Sequence, residues 1–259
     1  MLLKITNTCH AACFHCFENA SPKPAHMTFP TLVNTMRFIK ELNPSLLLVS
    51  GGEPSTHPLF HEFMGYIRTY YDGIIIIASN GAFINEGNES VDSFMSPYAL
   101  DPKTKWQITN DSRYYPKPIN RKFLEYAMNK YQNQVLFIDS IQQLYPQGRA
   151  VTSLKLDASS AEDLSSKCFN IRSSVRAGLS LSSAVKVLES RFKFCTPSIT
   201  FRGDISVGES INCPPIANVH TYKMGEVETS IRNSKCNECN MNSRLPEYLK
   251  QAINLFEID

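Results

Sequence analysis

Short apolar runs alternate with segments of helical period up to about residue 150, and this alternation limits the fold more than any other feature. Strands are predicted at 2–8, 45–50, 73–79, 105–109 and 135–141, with a weaker sixth strand at 151–156. Amphipathic segments lie between most of these strands, and a distorted helix is predicted within 82–104. Repeated strand and helix units predict an α/β fold with a parallel sheet, open or curled into a barrel.

Polar residues follow each of the first four predicted strands. Cys9 follows the first, Gly51-Gly52-Glu53-Pro54 the second, Asn80-Gly81 the third and Asn110-Asp111 the fourth. The carboxyl ends of parallel strands meet at one edge of a sheet, which is where such folds place their chemistry. We therefore expect a site that contains these residues.

Size and charge exclude several classes of protein. With 259 residues and 42% hydrophobic content the chain can form a large core, which excludes intrinsic disorder. A formal net charge of +2 gives no reason to expect binding to nucleic acid or to anionic lipid. Apolar runs are far shorter than the roughly 20 residues that span a bilayer, and the first residues lack a signal peptide's apolar core. We expect a soluble, cytoplasmic protein.

The character of the sequence changes beyond about residue 190. Ile199 to Phe201 and Ile205 to Val207 flank Arg202-Gly203-Asp204, which is typical of a β-hairpin. The predicted organisation is therefore a main domain at 1–190 and a small second domain at 191–259.

The chain has eight cysteines, and their spacing is informative. One group consists of Cys9, Cys13 and Cys16, and a later group of Cys195, Cys213, Cys236 and Cys239. In a reducing compartment such groups indicate metal binding before disulfides. Three thiolates on one loop leave one position of an iron–sulfur cluster unfilled. A zinc loop completed by His10 or His15, and a zinc ribbon for the later group, are the alternatives.

The Cys9-x3-Cys13-x2-Cys16 motif after a first strand, together with Gly51-Gly52-Glu53-Pro54 after the second, resembles the radical S-adenosylmethionine (SAM) superfamily. The resemblance implies a partial (β/α)6 TIM-like barrel. It also implies that the three cysteines hold a [4Fe-4S] cluster whose fourth iron is chelated by SAM. Gly51, Gly52, Glu53 and Pro54 would then meet the amino group of SAM.

The later cysteines resemble the shortened "twitch" form of the SPASM domain, a β-hairpin and helix. By that resemblance Cys195, Cys213, Cys236 and Cys239 hold a second, auxiliary [4Fe-4S] cluster. Because four thiolates would ligate it fully, it would transfer electrons or shape the site.

The resemblance also suggests further cofactor contacts. His15 lies where the family usually has an aromatic or His residue near the adenine, and Asn80 and Thr109 lie where the family often contacts the methionyl or ribose part of the cofactor. Asn80 and Thr109 fit a cap or turn equally well. Arg149 lies in a Pro-x-Gly-Arg-Ala segment, and its guanidinium suits a carboxylate, although a surface turn is the alternative. Cys168 is either a hydrogen-atom donor or an inert buried residue.

The family implies one-electron cleavage of SAM to a 5′-deoxyadenosyl radical that removes hydrogen from a substrate carbon. An electron donor such as flavodoxin or ferredoxin is expected. The first hypothesis for the substrate is a ribosomally made peptide, which would be oxidised, crosslinked or epimerised. A radical dehydrogenase or epimerase of an aminocyclitol or sugar, a glycyl-radical activating enzyme and a non-enzymatic zinc protein are the alternatives.

Overall fold

The computed structural model describes residues 1–16, 18–141, 144, 148–155, 175, 178–190, 197–208 and 213–233. Within these ranges the strands form one sheet in the order β5-β4-β3-β2-β1-β6-β7-β8. Their bounds are β1 Leu2–Thr6, β2 Leu46–Gly51, β3 Ile74–Ser79, β4 Thr104–Thr109, β5 Val135–Ile138, β6 Ser198–Ile199, β7 Asp204–Ser206 and β8 Pro215–Asn218.

Helices cover the sheet and connect its strands. Their bounds are α1 Phe29–Leu42, α2 Phe60–Tyr70, α3 Asn88–Met95, α4 Arg121–Lys130, α5 Arg149–Ser153, α6 Leu181–Ser190 and α7 Met224–Asn233. Short 3-10 turns occupy Pro54–Thr56, Ala82–Glu86 and Ser96–Tyr98. In α1, the Thr28 side chain accepts a hydrogen bond from the Thr31 amide at 3.3 Å, and left-handed Asn43 ends the helix.

The first five strands are parallel, as the alternating pattern predicts. Alternate residues of β1 to β4 are fully buried against the helices, namely Leu3, Ile5, Leu47, Val49, Ile75, Ile77, Trp106 and Ile108. The isoleucine run of β3 is buried on both faces, as expected for a central parallel strand. The α/β fold with a parallel sheet is confirmed.

The opposite face of the sheet is more polar, and it carries Lys4, Ser50, Gln107 and Thr109 at alternating positions. The Lys4 ammonium pairs with the Glu18 carboxylate at 2.5 Å, and both side chains are mostly buried. Glu18 comes just after Cys16, so this ion pair joins β1 to the end of the cysteine segment.

The sixth strand predicted at 151–156 is wrong. Arg149–Ser153 forms α5, in which the Leu154 amide donates to the Ala150 carbonyl at 3.0 Å. A short apolar run fits a strand or a helix equally well by periodicity. The sixth strand of the sheet is Ser198–Ile199, which pairs with β1. Leu156 lies outside the described residues.

Other boundaries differ little from the predictions. β1 ends at Thr6, and beyond its regular pairing Thr6 and Thr8 form isolated bridges with His26 and Ser21. The distorted helix predicted within 82–104 is α3 with its flanking 3-10 turns.

The predicted hairpin is confirmed, since β6 and β7 are antiparallel and β8 follows β7 in the same way. β6 is parallel to β1, so this hairpin extends the main sheet. The division into 1–190 and 191–259 stays a prediction. Among the described residues no helix is long and apolar enough to cross a membrane.

Candidate functional site

Three cysteines lie on one loop at the carboxyl end of β1. We call residues 9–20 the cysteine loop; Phe17 lies outside the described residues. Cys13 is buried, Cys9 and Cys16 are half-buried, and all three are thiols rather than disulfides. Burial, together with the nearby Cys9 and Cys16, raises the pKa of Cys13 to about 12. The pKa of Cys9 is raised by burial and by the charges of Glu53 and Cys16.

These shifts test whether the loop fits a metal group. Three thiolates this close together in a poorly solvated place repel one another, so they ionise together only beside a cationic group. In the part of the chain that the structure describes, no three side chains of His, Cys, Asp or Glu converge on a single ion. A four-iron cluster is larger than one ion and takes its thiolates at separate corners. The donor set fits such a cluster.

Gly51 and Gly52 let the end of β2 press against the end of β1. A Cβ on Gly51 would lie 2.0 Å from the Thr6 carbonyl oxygen, and one on Gly52 would lie 2.4 Å from that of Thr8. The Gly52 and Glu53 amides donate to these two carbonyls, each at 2.8 Å. No larger side chain fits this approach, which is the close backbone contact expected of the motif.

The Glu53 carboxylate holds the ends of β2 and β3 together. It accepts hydrogen bonds from the Ser55 hydroxyl, the Ser79 hydroxyl and the Asn80 amide, each at 2.7 Å, and from the Ser55 amide at 3.2 Å. Glu53 is 1% exposed. Its oxygens are therefore largely occupied by the protein itself.

Asn80 connects Glu53 to the cysteine loop. Its side-chain amide donates to the Cys9 sulfur at 3.5 Å, and its side-chain oxygen accepts from the Ala82 amide at 2.8 Å. Thr109 ends β4, where it is half-buried and in register with Ile138 of β5. Both residues lie at the carboxyl edge of the sheet, as predicted.

His15 packs between two tyrosines of the segment after β4. Its ring centroid lies 5.4 Å from that of Tyr114 and 5.0 Å from that of Tyr115. Burial lowers the pKa of His15 to about 4, so the ring is neutral near pH 7. Its buried Nδ1 has no hydrogen-bond partner among the described residues. A ligand could supply that partner.

Tyr115 is a site residue that the sequence analysis missed. Burial raises its pKa well above the usual value, and Cys13, Glu53, Cys9 and Cys16 raise it further. Tyr115 therefore interacts electrostatically with the three thiols and with Glu53. The signal was available, because Tyr114 and Tyr115 follow the fourth strand by a few residues.

Asp111 fixes the segment that carries these tyrosines. It accepts from the Arg113 side chain at 2.5 to 3.1 Å and from the Ile141 amide at 2.7 Å. These hydrogen bonds, those from Arg113 foremost, lower the pKa of Asp111 to about 2. The segments after β4 and β5 are thereby joined.

Arg149 lies beside the cysteine loop, but its described partners are backbone carbonyls rather than a carboxylate. Its side chain donates to Cys13 at 3.0 Å and to Ala20 at 2.6 Å. A residue in a plain surface turn would not make these contacts with the cysteine loop.

Of the later cysteines, the structure describes Cys213, which is half-buried shortly before β8. Cys195, Cys236 and Cys239 lie outside the described residues, as does Cys168. The auxiliary cluster and the hydrogen-donor role of Cys168 stay predictions.

No protein-family model matches the chain. Over 84 residues it is 32% identical to an S-adenosylmethionine-dependent nucleotide dehydratase of Thermoplasmatales archaeon (strain ISO4-H5). That match covers 32% of this chain and 30% of the relative, so it spans less than a third of the relative's length.

Solved structures match far more of the chain. Native anSMEcpe with bound AdoMet matches with a TM-score of 0.51 and 13% identity, over 98% of this chain and 95% of that one. Streptococcus suis SuiB bound to S-adenosylmethionine matches with a TM-score of 0.53 and 12% identity, over 90% of this chain and 67% of that one. SuiB has also been solved with its precursor peptide SuiA, and that structure matches with a TM-score of 0.52, 11% identity, and coverage of 90% and 66%.

These neighbours are radical SAM enzymes. The chain has the radical SAM fold. The resemblance based on the cysteine and Gly-Gly-Glu-Pro motifs is confirmed at the level of the fold. In the radical SAM fold of this chain, the cysteine loop and Gly51–Pro54 lie side by side at the carboxyl edge of the sheet, as the motifs predict.

Proposed function

We propose that this chain is a radical SAM enzyme that cleaves SAM reductively and removes hydrogen from a carbon of a peptide substrate. The observation that carries the proposal is the trio of thiols on one loop at the carboxyl edge of the sheet, next to the glycine motif. The motif residues thus lie together in three dimensions as well as in order along the chain.

Cys9, Cys13 and Cys16 would hold a [4Fe-4S] cluster, whose cationic irons offset the repulsion among the thiolates. With SAM bound, such a cluster supplies one-electron cleavage of the sulfonium and a carbon radical for hydrogen abstraction. The protein's task is to position SAM and to exclude water and other hydrogen donors.

The carboxyl edge of the sheet provides groups that can bind and orient SAM. The backbone of Gly51–Pro54 would accept from the SAM ammonium, because the Glu53 side chain is already engaged with Ser55, Ser79 and Asn80. Asn80 and Thr109 would contact the methionyl or ribose part. His15, held between two tyrosine rings, would contact the adenine, and its unpaired Nδ1 suits a donor on the cofactor.

For the second cluster, we propose Cys195, Cys213, Cys236 and Cys239 as ligands and electron transfer as its role. A flavodoxin or ferredoxin would supply the electron for SAM cleavage.

A peptide is the favoured substrate because the radical SAM structures that match most of this chain include complexes with peptides. A nucleotide is the second candidate, because the curated relative with 32% identity acts on one. SAM cleavage is the same for both candidates, and they differ in the molecule from which hydrogen is removed.

The experiment is anaerobic reconstitution followed by reduction in the presence of SAM. We expect brown protein with about eight irons per chain and release of 5′-deoxyadenosine. Cys9→Ala should abolish this release. Cys213→Ala is the matched control, which should retain SAM cleavage and lower the iron content to about four. Wild-type protein that takes up zinc and not iron would show that the proposal is wrong.

The substrate class is tested with deuterated peptides and deuterated nucleotides in parallel reactions. Deuterium that enters 5′-deoxyadenosine from a peptide supports the first candidate. Transfer from a nucleotide alone overturns it in favour of the second.

A further inference from the structure

Arg149 contacts the cysteine loop at three points. Its backbone amide donates to the Cys16 carbonyl at 2.8 Å. Its guanidinium donates to the Cys13 carbonyl at 3.0 Å and to the Ala20 carbonyl at 2.6 Å. One residue thus holds the loop at two of its cysteines and near its end, although 136 positions separate it from Cys13.

The backbone around Arg149 is shaped for these contacts. Gly148 has a φ of +56°, a conformation that favours glycine, and Arg149 is the first residue of α5. A first helical residue has no partner for its amide within its own helix. Here the Cys16 carbonyl is that partner, so α5 begins on the cysteine loop.

The positive charge of Arg149 also lies beside the cysteine loop. In the described ranges no carboxylate pairs with it, and its side-chain acceptors are neutral carbonyls. Carbonyls satisfy the N–H groups without cancelling the positive charge. The positive charge of Arg149 therefore stays uncancelled beside the carbonyls of Cys13 and Ala20.

On the basis of the proposed function, we propose that Arg149 is a positioning residue of the cluster, with two separable effects. Its guanidinium fork sets the spacing of the loop that carries Cys13 and Cys16. Its uncancelled charge favours the more negative, reduced state of a bound cluster. The segment that follows β5 would in this way set how readily the cluster accepts an electron.

Two variants separate these effects in the full-length reconstituted protein. Arg149→Lys keeps the charge and loses the fork, and Arg149→Met loses both. Arg202→Met is the matched control, because Arg202 is an exposed arginine in the turn between β6 and β7. The readouts are iron content, the rate of cluster loss to a chelator, and the midpoint potential of the cluster whose electron paramagnetic resonance signal changes when SAM is added.

We expect Arg149→Lys to lose the SAM-responsive cluster about fivefold faster than wild type, as suits the loss of about one hydrogen bond, with little change in potential. Arg149→Met should also show about a tenfold lower ratio of reduced to oxidised cluster at a fixed potential. For a one-electron couple this is a shift of about 59 mV to more negative values. Arg202→Met should match wild type in every readout.

The outcomes distinguish this inference from the proposed function. Wild-type protein without iron overturns both. Wild-type protein that binds iron and cleaves SAM, with an Arg149→Met variant of the same cluster stability and potential, overturns the inference alone. If circular dichroism shows that Arg149→Met does not fold, Arg149→Lys decides, and a lysine variant that keeps its cluster as well as wild type refutes the role of the fork.

Discussion

Replacing Glu53 by Gln tests the interpretation of this residue as a structural link rather than a cofactor ligand. The carboxylate is 1% exposed and accepts hydrogen bonds from Ser55, Ser79 and Asn80. Every one of these partners is a donor, so the site requires acceptors at both oxygens. A glutamine has nearly the same shape but replaces one acceptor by an NH2 donor.

The size of the effect follows from those contacts. If the amide oxygen faces the serines, the NH2 group meets the Asn80 amide, where a bond of 2.7 Å is lost. A hydrogen bond to a charged group contributes about 1.5–3 kcal/mol, and a buried donor without a partner costs about 1–3 kcal/mol. Relief from burying a charge offsets part of this sum. We expect a net loss of about 2–3 kcal/mol in the free energy of unfolding.

The assay is urea denaturation of the metal-free chain, followed by circular dichroism, with thermal unfolding as a second measure. The midpoint temperature should fall by about 5–10 °C, since 1 kcal/mol corresponds to about 2–4 °C at this size. Glu62→Gln is the matched control, because Glu62 is exposed on α2, and it should change stability by less than about 0.5 kcal/mol. A Glu53→Gln protein as stable as the control, with SAM binding weakened, would refute the reasoning and make Glu53 a direct ligand.

Three further predictions concern Tyr115, Asp111 and Cys168. Tyr115→Phe is expected to weaken SAM binding to the reconstituted protein about three- to tenfold, because the Tyr115 hydroxyl interacts electrostatically with the cysteine thiols. Tyr114→Phe should leave the affinity for SAM unchanged, and equal calorimetric affinities for the two variants would contradict this prediction. Asp111→Asn is expected to lower the free energy of unfolding by about 1–2 kcal/mol at pH 7, because the pKa of Asp111 is lowered to about 2. The stability that the Asp111 carboxylate contributes is complete above about pH 4 and is lost as the pH falls through about 2. Urea denaturation curves of wild type and Asp111→Asn that stay apart at pH 2 would contradict this prediction. Cys168→Ala should leave SAM cleavage intact and abolish turnover if Cys168 donates hydrogen, and an unchanged product disposes of that role.

Much of the fold could be predicted because its signals are local. The apolar runs of β1 to β5, the threonine before α1 and the glycines after β2 each act over a few neighbouring residues. The prediction of a strand at 151–156 was wrong because no local signal decides the conformation there. A run of that length has no periodicity that separates helix from strand, and the helix that forms there begins at Arg149, which is bonded to the cysteine loop.

For the site, the sequence by itself determined which chemistry is present: three closely spaced thiols, a backbone able to approach closely at Gly51 and Gly52, and their order after successive strands. Only the tertiary structure decided what the charged side chains do there. Glu53 turns toward Ser79 and Asn80, and Arg149 reaches back across 136 positions to Cys13. Hydrogen bonds between residues so far apart leave no pattern in the chain, because their geometry exists only once the sheet has brought the strand ends together.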